Sequence, residues 1–180
     1  MIQEQQAVVN FALESRENLE LTFLAHQSYS LLCKDLAFKF HSELSKRVGE
    51  VYVGDDWILP ENPPGNLIEF MIGNRKWPGN VKFGWRDFDD IDRLCFYVKT
   101  DNDFRSTIFS AINSAIKGKE TGAGWWFRFR EPYNRWESSL DGINSLYDSK
   151  NMINYVIENF MSISSAIEAH FMQPAEMPGI

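Results

Sequence analysis

Residues 124–136 alternate aromatic and cationic side chains at the two-residue period of a β-strand, and no other pattern constrains the fold as strongly. The stretch reads Gly-Trp-Trp-Phe-Arg-Phe-Arg-Glu-Pro-Tyr-Asn-Arg-Trp. Because successive side chains of a strand point to opposite faces, one set belongs to a core and the other to a charged face. The core set is Trp125, Phe127 and Phe129, and the charged set is Trp126, Arg128 and Arg130. The pattern predicts a strand over residues 124–131 that ends at Pro132.

Apolar residues at helical spacing flank and interrupt a group of strand-like segments. The expected helices cover residues 2–15, 19–48, 103–117, 137–147 and a last segment from Ser149 to Phe171. The expected strands cover residues 51–59, 67–72, 81–86, 93–99 and 124–131. We expect residues 1–172 to form a single α+β domain. Its mostly antiparallel sheet of about five strands would pack with a long N-terminal, a middle and a long C-terminal helix.

Local signals predict the ends and connections of these elements. Asn18 is expected to cap the long N-terminal helix, and Ser149 to cap the C-terminal one. Residues 118–124 contain three glycines and predict a flexible connection. The acidic run at residues 87–92 suits a hairpin loop, and residues 173–180 suit a flexible tail.

Composition indicates an acidic cytoplasmic protein. The formal net charge is −7, although residues 61–135 carry twelve bases against ten acids. No apolar run approaches the ~20 residues that span a bilayer, and the polar N-terminus does not resemble a signal peptide. Cys33 and Cys95 lie far apart and are interpreted as ordinary buried thiols, with a disulfide between them as the alternative.

The motifs of common catalytic and metal sites are absent from the sequence. The three histidines, His26, His41 and His170, show no metal-ligand spacing, and no nucleophile elbow or phosphate-binding loop occurs. The acidic run at residues 87–92 lacks the glycine and the acidic last position of a calcium loop. We therefore expect no enzyme, cofactor or metal. The remaining alternative is an enzyme whose site combines Glu69 with His41 or His26.

Alternation in the three central strands predicts a sheet face rich in cations. Its expected members are Lys82, Arg86, Arg93, Tyr97, Lys99, Trp126, Arg128 and Arg130. One interpretation is a polar face that water or acidic helices cover. The other is a platform on which Trp126 and Tyr97 stack against bases while the arginines hold phosphates.

The order of elements from about residue 50 to residue 171 resembles the C-terminal portion of some bacterial and phage proteins of the PD-(D/E)XK nuclease superfamily. The residues that carry the resemblance are Asp56-Trp57-Ile58-Leu59, Leu67-Ile68-Glu69-Phe70, Val81-Lys82-Phe83-Gly84-Trp85, the Trp125-Trp126-Phe127 strand, the Trp136 turn and the long last helix. Nuclease chemistry in that superfamily requires a (D/E)xK pair on a strand. Lys82 follows Asn80 and Lys99 follows Tyr97 at that spacing, so the resemblance implies a non-catalytic accessory module.

These observations lead to two functional hypotheses. The first is a non-enzymatic protein-interaction module, whose expected contact residues are Trp126, Arg128, Arg130, Arg135 and Trp136 because Trp and Arg dominate interface hot spots. One form of it is a phage or mobile-element inhibitor or accessory factor of a nucleic-acid-processing or defence system, with acidic helices that imitate phosphate. The alternative is a nucleic-acid-binding protein that uses the basic aromatic sheet face. Neither hypothesis fixes the oligomeric state.

Overall fold

The computed structural model describes residues 3–60, 69–88, 93–121, 124–136 and 139–172. The chain divides into two compact units, Met1–Leu36 and Ala37–Ile180. Helix α1, Gln3–Glu14, belongs to the first unit. Helix α2, Arg16–Val51, is continuous over 36 residues; it begins in the first unit and ends in the second.

Ser15 separates α1 from α2 and caps the longer helix. The Ser15 hydroxyl oxygen accepts a hydrogen bond from the Asn18 backbone N–H at 3.1 Å, which satisfies one of the N–H groups without a helical partner. The Asn18 side-chain amide donates instead to the Phe11 carbonyl oxygen at 2.9 Å, near the end of α1. The prediction that Asn18 is the cap was therefore wrong, because α2 begins earlier and Ser15 occupies that position.

One antiparallel sheet of six strands organises the described part of the second unit. The strands are β1 Trp57–Ile58, β2 Glu69–Asn74, β3 Lys82–Phe88, β4 Arg93–Lys99, β5 Lys119–Thr121 and β6 Gly124–Arg128. Their order across the sheet is β1-β2-β3-β4-β6-β5. Three more helices are α3 Asn102–Ala115, α4 Leu140–Tyr147 and α5 Lys150–Met172. The predicted α+β class is confirmed, with six strands rather than about five.

Strand register brings the predicted aromatic core together on one face of the sheet. Phe83 lies opposite Val98, and Phe96 lies opposite Phe127. The Phe160 ring of α5 packs on this face, with its centroid 5.6 Å from that of Phe83 and 6.0 Å from that of Phe96. Because each buried ring removes about 150–250 Å² from water, the contact between α5 and the sheet forms the core of the unit.

Several predicted boundaries differ from the structure. Residues 51–59 were expected to be extended, but only Trp57 and Ile58 form a strand because α2 continues to Val51. Residues 119–121, predicted to be a flexible connection, form β5 by pairing with β6. Strand β6 ends at Arg128 rather than at residue 131. The predicted tail at 173–180 and the centre of the acidic loop at 89–92 lie outside the described residues.

The two cysteines have the predicted state. Both Cys33 and Cys95 are free thiols, and both are buried. Within the described ranges no helix is long and apolar enough to cross a membrane.

Candidate interaction surfaces

Five cations share the sheet face that points away from the aromatic core. We call this surface the basic sheet face; it comprises Lys82, Arg86, Tyr97, Lys99, Lys119, Trp126 and Arg128. Register supports the grouping, since Lys82 lies opposite Lys99 and Tyr97 lies opposite Trp126. Lys119 joins the face because β5 places it opposite Trp126.

Tyr97 lies at the centre of this face but is not available for stacking. Its side chain is only 3% exposed, and the Arg86 guanidinium lies 5.9 Å from its ring centroid. Burial raises the pKa of the Tyr97 hydroxyl. Gly84 lies directly across the strand pair, and a Cβ added to Gly124 would lie 2.6 Å from the tyrosine ring. The expectation that Tyr97 stacks on a ligand conflicts with this burial.

Two other members of the basic sheet face have partners within the chain. The Lys119 ammonium lies 5.6 Å from the Trp126 ring centroid, within cation–π range. The Lys99 ammonium lies 3.7 Å from a Glu69 carboxylate oxygen, and both side chains are more than a third exposed. Such an exposed ion pair contributes little to stability, but it lowers the positive potential of the surface. Arg128 is the most exposed of the predicted cations on this face.

Two predicted contact residues lie elsewhere. Arg130 follows the end of β6, and its guanidinium stacks 4.5 Å from the ring centroid of Tyr155 on α5, on the core side of the sheet. Trp136 is 5% exposed, and its ring packs edge-on against Phe40 and Trp85. Burial thus makes Trp136 a core residue rather than a surface contact.

Of the other two predicted contact residues, one lies in a loop and the side chain of the other lies outside the described residues. Arg135 is exposed in the loop before α4, and its carbonyl oxygen accepts a hydrogen bond from the Ser139 hydroxyl at 3.2 Å. Arg93 begins β4, and its side chain lies outside the described residues. The structure therefore brings together about half of the predicted contact set.

The structure separates two residues of the enzyme alternative, Glu69 and His41. His41 is 1% exposed, and its ring packs against Phe70 and Trp85, with centroid distances of 4.8 and 6.0 Å. Desolvation by burial lowers the pKa of His41 to about 4. Glu69 precedes Phe70 in β2, so its side chain points to the opposite face of the sheet. The sheet itself separates the two groups. Among the described residues, no three His, Cys, Asp or Glu side chains are placed to hold a metal ion.

A charged groove of about 490 Å³ lies between the second half of α2 and the start of α5. The Ser149 hydroxyl donates to a Glu43 carboxylate oxygen inside it. The Lys39 ammonium donates to the Tyr147 carbonyl oxygen at 3.4 Å and lies 5.7 Å from the tyrosine ring centroid. These contacts tie α2 to the end of α4 and to Ser149, and they give Lys39 and Glu43 structural partners.

The first unit exposes a large amount of apolar surface. We call this set the apolar helical surface; its members are Val8, Val9, Phe11, Leu13, Leu19, Leu21, Phe23, Leu24, Tyr29, Leu31 and Leu32, each at least 41% exposed. A groove of about 670 Å³ separates α1 from α2 and is lined mainly by Val8, Phe11, Leu21, Ala25 and Tyr29. Large contiguous apolar patches on a protein surface mark interaction sites.

Comparison with known proteins gives one partial similarity. No family model matches the chain, and no solved structure matches it. The chain is 32% identical over 123 residues to the probable GTPase-activating protein GYL1 of Saccharomyces cerevisiae. That alignment covers 68% of this chain and 16% of the yeast protein. The chain therefore spans about a sixth of this relative, and the similarity identifies no family.

Sequence reasoning missed the apolar helical surface although its signal was present. The apolar residues at helical spacing that predicted the helix over residues 19–48 include Leu21, Leu24 and Leu31. At about 100° per residue, however, the large apolar residues of α2 between positions 19 and 32 project around its whole circumference. Exposed apolar side chains on several sides of one helix are typical of surfaces that another molecule covers.

Proposed function

We propose that this chain is a non-enzymatic protein-interaction module whose contact surface is the apolar helical surface of residues 3–36. The observation that supports this proposal is the exposure of eleven large apolar side chains within that segment. Exposed apolar area costs free energy in water, at about 25 cal/mol per Å². Another protein chain that covers this area removes the cost.

The available area is sufficient for a specific complex. A fully exposed large side chain presents about 200 Å², so eleven side chains at about half exposure carry about 1,100 Å². A standard interface buries about 800 Å² on each partner. The total apolar area of the segment is therefore comparable to one partner's share of a standard interface, distributed over several sides of α1 and α2.

The charge of the same segment favours a protein partner over a membrane or nucleic acid. Residues 3–36 contain five acids, Glu4, Glu14, Glu17, Glu20 and Asp35, and two bases, Arg16 and Lys34. Helices that lie on membranes are rich in Lys and Arg on their polar face, and phosphate binding depends on cations. An acidic segment has neither a polar face rich in Lys and Arg nor the cations that phosphate binding needs.

The partial relative and the sequence resemblance place limits on this proposal. The yeast protein is named as a probable GTPase-activating protein, but the alignment covers 16% of it, so GTPase activation is not part of our proposal. A cytoplasmic location and a role as inhibitor or accessory factor of a nucleic-acid-processing or defence system are narrower forms of the proposal. They are supported by the free buried thiols and by the resemblance to the nuclease superfamily, respectively.

Affinity capture with surface variants tests the proposal. Tagged full-length chain is incubated with lysate of the organism that encodes it, with and without nuclease treatment. Phe11→Glu and Leu31→Glu place a carboxylate on the apolar helical surface, whereas Leu140→Glu changes a still more exposed leucine of α4 in the second unit. We expect nuclease-resistant partners that the first two variants lose and Leu140→Glu retains. Identical capture by all three variants would contradict the proposal.

A second candidate function, nucleic-acid binding, is favoured by the grouping of five cations and the half-buried Trp126 on the basic sheet face. It predicts oligonucleotide affinity that falls steeply with salt and weakens in Arg128→Ala and Lys82→Ala. Lys150→Ala is a matched control because it removes a cation from the start of α5 instead. No binding at low salt would reject this candidate.

A further inference from the structure

We infer that the apolar helical surface binds a second copy of this chain, through an antiparallel pair of α2 helices with two-fold symmetry centred on Gln27. This inference rests on the proposed function and names its partner. The relevant seam consists of Glu20, Phe23, Leu24, Gln27, Leu31 and Lys34, all of which are exposed.

The spacing of these residues is that of a two-heptad helix pair. Glu20 and Lys34 are 14 residues apart, so about 100° per residue returns them to nearly the same side of α2. The intervening positions Leu24, Gln27 and Leu31 recur at alternating steps of three and four residues, which is the spacing of a coiled-coil seam. An apolar strip with a charge at each end therefore faces one direction.

Five of the six seam residues pair with one another across a two-fold axis, and the sixth, Leu24, lies opposite Ser30 of the second copy. A two-fold axis at Gln27 places Glu20 opposite Lys34 of the second copy, and Phe23 opposite the second copy's Leu31. It also places the two Gln27 amides opposite each other, where a buried polar pair fixes the register of paired helices. A parallel pair would instead place equal charges together. Complementarity of this kind is the defining property of a two-fold interface.

The seam and the groove occupy different sides of α2. Groove-lining Leu21, Ala25 and Tyr29 project about 180° away from the midpoint of the seam. The α2 seam can thus be covered while α1 keeps its position along the groove. Glu20 also pairs with Arg16 at 2.9 Å, but both side chains are mostly exposed, and such a pair does not prevent a second contact.

The length of the seam predicts a reversible dimer. Fourteen residues at 1.5 Å rise span about 21 Å, which is short for a helix pair. We expect a monomer–dimer equilibrium in the micromolar range, visible by sedimentation equilibrium of the full-length chain. Leu31→Glu places two carboxylates in the apolar strip of the dimer. We expect the dissociation constant of the dimer to rise at least about tenfold. Leu140→Glu is the control and should dimerise like the wild type.

A charge exchange tests the identity and direction of the partner. Lys34→Glu creates two repulsive contacts per dimer and should weaken association about threefold to tenfold at low salt. The double variant Glu20→Lys with Lys34→Glu restores opposite charges only between antiparallel copies. We expect it to regain most of the wild-type affinity. Far-UV circular dichroism of each variant checks that the helices are retained.

Three outcomes overturn the inference. These are a wild-type chain that stays monomeric at all concentrations, association that continues beyond a dimer, and a double variant no better than Lys34→Glu alone. A monomeric wild type that captures a different protein through Phe11 and Leu31 would refute the second copy as partner but leave the proposed function intact. A monomeric wild type whose captured proteins are the same in Phe11→Glu and Leu31→Glu would refute both the inference and the proposed function.

Discussion

Acid should destabilise the second unit through one buried imidazole. His41 is 1% exposed, and neither ring nitrogen has a hydrogen-bond partner among the described residues. Ser45, one turn further along α2, and Trp85 also have buried polar atoms without such partners. Protonating the ring in this apolar setting requires removing a charge from water, and this desolvation outweighs the hydrogen bond to its own backbone that favours the charged form. The neutral imidazole is therefore the form compatible with the fold.

The sign and size of the effect follow from proton binding. Burial lowers the pKa of His41 from 6.5 to about 4, so between these values the unfolded chain binds the proton and the folded chain does not. The free energy of unfolding therefore rises with pH across this window, and the stability is lost as the pH falls from about 6.5 to about 4. At about 1.4 kcal/mol per pH unit, the loss reaches about 3 kcal/mol.

The assay compares wild type with His41→Phe by urea unfolding between pH 4 and 7. All six tryptophans lie between residues 57 and 136, so their fluorescence reports on the second unit. The carboxylates titrate in both proteins, so their contribution cancels in the difference between the two free energies of unfolding. As the pH falls from 7 to 4, we expect the free energy of unfolding of His41→Phe to increase by about 3 kcal/mol relative to that of the wild type. His26→Phe, which replaces an exposed histidine of α2, is the matched control. A difference between wild type and His41→Phe that is constant with pH would refute this reasoning.

Three further changes should alter the stability of the second unit, each measured by the urea midpoint at neutral pH. Gly84→Ala should lower the free energy of unfolding by about 2 kcal/mol or more, because the added Cβ would lie 1.7 Å from the Phe70 carbonyl oxygen. A urea midpoint within error of wild type would contradict the strand geometry. Asn113→Ala should cost about 1–3 kcal/mol, since its side-chain oxygen accepts from the buried Trp125 indole at 2.7 Å. Arg130→Ala should cost about 1 kcal/mol by removing the guanidinium from a tyrosine ring of α5, whereas Arg130→Lys should recover part of this loss.

The period-two pattern of the sheet could be predicted from sequence because it reflects a local rule. Alternation assigns each side chain to a face whatever the strand's neighbours are. The buried positions of Phe83, Trp85 and Trp125 agree with that assignment, as does the helical stripe of α5. One face of these strands carries the aromatic core, which alternation predicts directly, whereas the burial of Cys95 and Tyr97 on the opposite face of β4 does not follow from alternation.

The features that sequence did not predict depend on non-local contacts. Arg130 continues the alternation of β6, but the strand ends at Arg128 and the guanidinium stacks on the other side of the sheet. Trp136 follows a proline and looks like a loop residue, yet its ring fills a space between Phe40 and Trp85. Strand β5 has glycines on both sides and only three residues, so only pairing with β6 defines it.

The distribution of unsatisfied surface is the reason that we propose the helices, rather than the sheet, as the interaction site. On the basic sheet face, Lys119 covers Trp126, Lys99 pairs with Glu69, and Tyr97 is buried, so a ligand would have to replace existing contacts. An incoming group gains only the difference between the new contact and the old one. The apolar residues of the first unit are exposed to water instead, so covering them gains the full hydrophobic free energy. For that reason a carboxylate at Leu31 should disturb association more than the loss of Arg128, although the sequence draws attention first to the arginine.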